Sequence, residues 1–103
     1  MAKRNLDNNF PTPAPGTVAE KIKRRRLQIL VHSCIYYVLD NSIISDYTYD
    51  MWSKELEQLM KDNPDAYSDR FDYAFAKWDS ASGFDLPLRD PWVLDTATKL
   101  LHP

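Results

Sequence analysis

Apolar positions recur every three or four residues along most of this chain, and their phase divides it into segments. Val18, Ile22, Ile29, Ser33 and Tyr36 fall on one face of a helix, with Leu27, Val31, Cys34 and Val38 on nearly the opposite face. The second half of this segment is apolar almost all round, the pattern of a central helix packed on two sides. The first half carries Lys21, Lys23, Arg24, Arg25 and Arg26 and is expected to project toward solvent. Thr17 and Glu20 form a T-x-x-E capping box at its start. Asn41 and Ser42 stop the helix after about Asp40, and Ile43-Ile44 are expected to anchor the turn in the interior. Ser45 or Asp46 then caps a second helix, whose stripe of Tyr49, Trp52, Leu56, Leu59 and Met60 runs to about Asn63, before Pro64. The short connection predicts an antiparallel hairpin.

Beyond Pro64 the recurrence of Tyr67, Phe71, Ala74, Phe75 and Trp78 predicts a third helix from about Ala66 to Trp78. The alternation in FDYAF leaves an extended segment as the other reading. SASGFDLP, Ser80 to Pro87, is a loop with Gly83 as its turn. Asp90-Pro91 is an N-cap followed by proline at the first helical position. The last helix should turn Trp92, Val93, Thr96, Leu100 and Leu101 inward. At the other end, Pro11, Pro13, Pro15 and Gly16 make residues 1–16 a flexible or strap-like arm, and Lys3 and Arg4 belong to that solvated tail. The expectation is an all-α fold with one helical domain over residues 17–103. Its hairpin, 17–66, is covered by an aromatic-rich extension, 67–103, carrying Tyr67, Phe71, Phe75, Trp78, Phe84 and Trp92.

Composition narrows the function classes. At 103 residues, with 44% hydrophobic and 13% aromatic content, the chain can bury a real but thin core. No apolar run approaches the roughly 18 residues of a membrane span, and the start lacks the apolar centre of a secretory signal. One cysteine, Cys34, excludes an internal disulfide and suits a buried thiol in a reducing cytosol. Two histidines and one cysteine argue against zinc. A net charge of −2 gives no global attraction to nucleic acid. The run Lys21, Lys23, Arg24, Arg25 and Arg26 remains either a solvated helix face or a grip for phosphates. There is no nucleophile elbow and no glycine-rich phosphate loop.

The segment Tyr36 to Asp50 carries the candidate chemistry. It places Tyr36, Tyr37, Asp46, Tyr49 and Asp50 at the junction of the two helices. Asp46, Tyr49 and Asp50 lie one turn apart on one edge of the second helix. Aromatic planes beside carboxylates suit a flat, cationic, hydroxyl-bearing ligand: a pyridinium stacks on tyrosine, and carboxylates accept hydrogen bonds from ribose hydroxyls. The same residues have an ordinary structural use. Negative charge in a first helical turn is worth about 0.3–1 kcal/mol, and tyrosines fill hairpin cores with their hydroxyls at the edge.

The stretch HSCIYYVLDNSIISDYTYDMWSKELEQL resembles the N-terminal nicotinamide mononucleotide-binding segment of bacterial NAD-dependent DNA ligases. That family has a helix ending in Y-[HY]-V-x-D, a short loop, S-D-x-x-Y-D, and a helix of the R-E-L-x-x-L kind closing at H-P. Here YYVLD occupies Tyr36 to Asp40, SDYTYD occupies Ser45 to Asp50, and KELEQL occupies Lys54 to Leu59. Asn63-Pro64 stands in the place of H-P. The similarity runs without gaps over residues 24–66. It implies that Tyr36, Tyr37, Asp46, Tyr49 and Asp50 hold the nicotinamide ring and its ribose, with NMN or NAD as ligand. Arg25 and His32 share the face of Tyr36, so an arginine to meet a ligand phosphate and a further hydrogen-bond donor are expected from them.

The departures from the family are as informative. The ligases continue into a nucleotidyltransferase domain with a K-x-D-G motif. Lys77-Trp78-Asp79-Ser80 has serine where that motif has glycine and stands too close to the hairpin. The chain is therefore not expected to ligate DNA on its own. It is similar to small ligase-related proteins of bacteriophage and bacterial genomes, which implies a cytoplasmic, non-catalytic binding protein for a nicotinamide nucleotide. Two alternatives remain at this stage. One is an interaction module for a protein partner or nucleic acid that kept the hairpin and lost the ligand. The other is an accessory subunit that completes a ligase in trans.

Overall fold

A computed structural model describes residues 12–81 and 85–103. Lys3, Arg4 and Pro11 of the arm, and Gly83 and Phe84 of the predicted loop, lie outside the described residues. The fold is all-α, with α1 Val18–Tyr37, α2 Asp46–Asp62, α3 Asp72–Phe75 and α4 Pro91–Leu101, and no strand among the described residues.

Local chemistry sets the helix ends. The Glu20 amide donates to Thr17 Oγ1 at 3.2 Å, while the Thr17 hydroxyl donates to the Ala14 carbonyl at 2.6 Å. The Glu20 carboxylate reaches past the cap to the Gly16 amide at 3.3 Å, and Gly16 sits at φ +81°, a conformation glycine adopts at no steric cost. Helix α1 ends at Tyr37 with Val38 as its C-cap, short of the expected Asp40. Asp40 then enters the left-handed region at φ +54°, and the Asn41 amide donates to the Ile35 carbonyl at 2.9 Å. Ser45 caps α2 by accepting from the Thr48 amide at 3.0 Å.

Contacts along the first two helices run in opposite order, so the pair is antiparallel. Ser33 Oγ meets the Tyr49 hydroxyl at 2.7 Å, the His32 and Trp52 rings are 5.5 Å apart, and Arg25 pairs with Glu55. Helix α4 packs on α1 as well, so α1 is the central helix that its two apolar faces predict. Ile22, Ile29, Leu30, Cys34 and Ile35 of α1 are buried with Leu56 of α2 and with Val93 and Ala97 of α4. Phe71, Phe75, Leu86 and Leu88 join the same cluster. Burial pushes the Cys34 thiol above its ordinary range.

Several expectations are corrected. The third helix shrinks to the four residues Asp72–Phe75. Before it, the Asp69 carboxylate accepts the Phe71 amide at 2.9 Å, the Asp72 carboxylate accepts the Asp69 amide at 3.1 Å, and Ser68 donates to Asp72. Such side-chain partners give the backbone an alternative to helical bonding. The basic run does not project as a unit, because successive residues fan around a helix of 3.6 residues per turn. Arg26 is only 6% exposed. It donates to Asp69 at 2.8 Å and Asp72 at 2.7 Å, with the Tyr67 and Phe75 rings 5.5 and 5.2 Å from its guanidinium. Ile43 is exposed and Ile44 half-buried, so the turn is anchored less deeply than expected. In α4, Leu100 faces solvent and Ala97 takes the inward position.

Candidate functional site

The α1–α2 turn leaves a cavity of about 530 Å³. Its walls include Tyr36 and Tyr37 from the last turn of α1, His32 one turn earlier, and Asp46, Tyr49 and Asp50 from the first turns of α2. The hairpin brings these groups together because both helices end or begin at the same place. Its volume lies within the roughly 300–1,000 Å³ of small-molecule sites.

The aromatic groups divide into exposed and anchored ones. Tyr36 and Tyr37 are 56% and 49% exposed. Their rings meet edge to face, with centroids 4.9 Å apart and planes at 90°. Tyr49 is half-buried, and its hydroxyl is held by Ser33, whose own side chain is wholly buried. Burial raises the Tyr49 phenol above its ordinary range, with the Ser33 hydrogen bond working in the opposite direction. Burial lowers the His32 pKa, so at neutral pH the imidazole brings no positive charge into the cavity.

The carboxylates are exposed at the helix start. Asp46 forms no ion pair among the described residues. Asp50 pairs with Lys54 at 2.9 Å across one turn of exposed surface, where solvent screening leaves the contact weak. The Asp50 hydrogen bond and charge raise the Lys54 pKa. Both acids thus remain available to hydroxyl donors beside the tyrosines.

Arg25 stands apart from the other predicted site residues. It lies outside the cavity wall, held by Glu55 and Gln28, with its guanidinium 5.3 Å from the Trp52 ring centroid. Arg24 pairs with Glu20, Arg26 is buried, and Lys21 and Lys23 flank them on a partly exposed surface. The structure therefore does not gather Lys21, Lys23, Arg24, Arg25 and Arg26 into one basic patch. Ser80 and Ala81 are wall residues that sequence reasoning missed. Ser80 Oγ donates to Glu57 at 2.8 Å, which ties this loop against α2. No local signal announces such a contact between residues so far apart in sequence. Among the described residues, no group of His, Cys, Asp or Glu could hold a metal ion, and no helix is long and apolar enough to cross a membrane.

Comparison with known proteins bears on this hairpin. A family model described as DNA ligase-like, N-terminal NAD+-binding domain matches residues 15–69, which include α1, α2 and the turn between them. A DNA ligase of Flavobacterium psychrophilum is 42% identical over 53 residues, covering 52% of this chain and 8% of the ligase. A DNA ligase of Thermoanaerobacter sp. (strain X514) is 48% identical over 46 residues, covering 45% of this chain and 7% of the ligase. A DNA ligase of Bacteroides fragilis is 43% identical over 49 residues, covering 48% of this chain and 7% of the ligase. The chain thus spans less than a tenth of the length of these curated relatives. No solved structure matches.

Proposed function

Because the chain belongs to the DNA ligase-like N-terminal NAD+-binding domain family, we propose that it binds nicotinamide mononucleotide, or the same half of NAD, in the cavity at the α1–α2 turn. It binds this ligand without turning it over. The observation that carries the reading is the meeting of Tyr36, Tyr37, Asp46, Tyr49 and Asp50 in one cavity wall, with two ring systems about half exposed.

Each group has a definite role. The pyridinium ring stacks on an exposed tyrosine face, where the ring quadrupole attracts its positive charge. Asp46 and Asp50 accept hydrogen bonds from the ribose hydroxyls and offset that charge. Ser33 fixes Tyr49 in the wall, so little side-chain freedom is lost there on binding. A neutral His32 avoids repelling the cation and offers a ring nitrogen for hydrogen bonding.

Isothermal titration of the full chain with the mononucleotide, NAD and adenosine monophosphate tests the reading. The first two should give heat and a raised melting temperature by millimolar ligand, and the third neither. Silence for all three at that concentration removes the proposal.

A further inference from the structure

A nucleotide carries a phosphate, yet among the described residues the wall of the cavity at the α1–α2 turn has two aspartates and no lysine or arginine. Arg25, the residue the sequence offers for that task, is held elsewhere by Glu55 and Gln28. A second cavity, of about 410 Å³, lies beside the first and is lined by Tyr37, Val38, Leu86, Pro87, Leu88 and Arg89. Tyr37 belongs to the walls of both, so the two cavities adjoin across one side chain.

Arg89 is exposed and makes no ion pair or side-chain hydrogen bond among the described residues. Its backbone is nonetheless fixed on both sides. Leu86 and Leu88 are buried before it, and Asp90 after it caps α4 and pairs with Arg70. The arginine is therefore an open cation on a firm base. Its charge also reaches Cys34 near the end of α1, where it works against the effect of burial on the thiol.

We infer that Arg89, in the groove on the far side of Tyr37, binds the phosphate of the nicotinamide nucleotide whose ring and ribose occupy the first cavity. This rests on the function proposed above and adds a recognition element to it. A guanidinium presents paired donors that match phosphate oxygens. Arg89 lies outside the matched residues 15–69, so this phosphate contact belongs to the part of the chain that follows the shared hairpin.

Titration of the full chain with nicotinamide mononucleotide, with nicotinamide riboside and with inorganic phosphate separates the two ideas. The riboside carries the same ring and sugar without the phosphate. The mononucleotide should bind about tenfold more tightly than the riboside, and inorganic phosphate alone only weakly. Arg89→Ala should bring the mononucleotide down to the riboside's affinity and leave the riboside unchanged, while Arg89→Lys restores part of the difference. Equal weakening of both ligands, or an undiminished mononucleotide preference in Arg89→Ala, overturns the assignment of Arg89 and leaves the cavity reading standing. Absence of binding by both ligands to the native chain overturns the cavity reading and this inference with it.

Discussion

Tyr36 and Tyr49 occupy the same wall but stand in different energetic positions. Tyr36 is 56% exposed, so its ring contributes little to folding. Tyr49 shares its hydroxyl with the buried Ser33 across the helix pair. Removing that hydroxyl leaves the serine without this partner in the interior, a loss of about 1–2 kcal/mol. Tyr36→Ala should therefore keep its stability within about 0.5 kcal/mol of the native chain and lower affinity for nicotinamide mononucleotide about tenfold. Tyr49→Phe should shift the urea midpoint downward and retain most of the stacking area. Urea unfolding and calorimetry on both variants check the contrast. A strongly destabilised Tyr36→Ala with unchanged ligand affinity would make Tyr36 a packing residue instead. The same contrast explains what the sequence could disclose about the site. Tyr36, Tyr37, Asp46, Tyr49 and Asp50 are close along the chain, so a hairpin alone brings them together, and His32 follows one turn back. Arg25 needed knowledge of Glu55 across the helix pair, and Ser80 needed Glu57, contacts that only the folded chain creates.

Helices α1, α2 and α4 were legible because each joins a long apolar stripe to a polar cap: Thr17, Ser45 and Asp90 all accept backbone amides as expected. The segment around α3 was not. Its aromatic spacing is helical, but Asp69 and Asp72 divert their carboxylates to nearby amides and to the distant Arg26, a long-range demand that overrides local periodicity. The α4 cap yields a prediction of its own. Asp90 accepts the Trp92 and Val93 amides at 2.9 and 3.3 Å and pairs with Arg70 through contacts of 2.7 and 3.2 Å. The Arg70 hydrogen bond, aided by the capped amides and opposed by burial, holds the Asp90 carboxyl below its ordinary range. A carboxyl lowered on folding stabilises the native state fully above its unfolded pKa of about 4 and loses that contribution as pH falls through the lower folded value. Asp90→Asn keeps an oxygen for the cap but lacks the charge. It should be about 1 kcal/mol less stable than the native chain at pH 7, with the gap closing as pH drops below about 4. Urea midpoints at pH 7 and pH 3 measure it, and a gap that stays constant would assign the whole effect to cap geometry.

The family match ends at residue 69, but the interior does not. Phe71, Phe75, Leu86, Leu88 and Val93 come from the following segment and are buried in the same cluster as the apolar residues of α1 and Leu56 of α2. At roughly 1.5–3 kcal/mol for each buried apolar side chain, their combined burial is comparable with the 5–15 kcal/mol that holds a typical domain together. Their removal would also open the side of α1 on which α4 packs, in a helix whose Leu30 and Cys34 have no exposure in the native chain. Arg26 would lose Asp72, one of its two carboxylate partners, and the cavity would lose the wall supplied by Ser80 and Ala81. Residues 1–69 alone should consequently retain helical far-ultraviolet dichroism but lack a cooperative thermal transition, and should bind a hydrophobic dye strongly. Thermal melts followed by near- and far-ultraviolet dichroism on the truncated and full chains decide the matter. A sharp melt of the truncated chain, with undiminished affinity for the mononucleotide, would show that the hairpin sustains itself and that the remaining residues serve some purpose other than covering it.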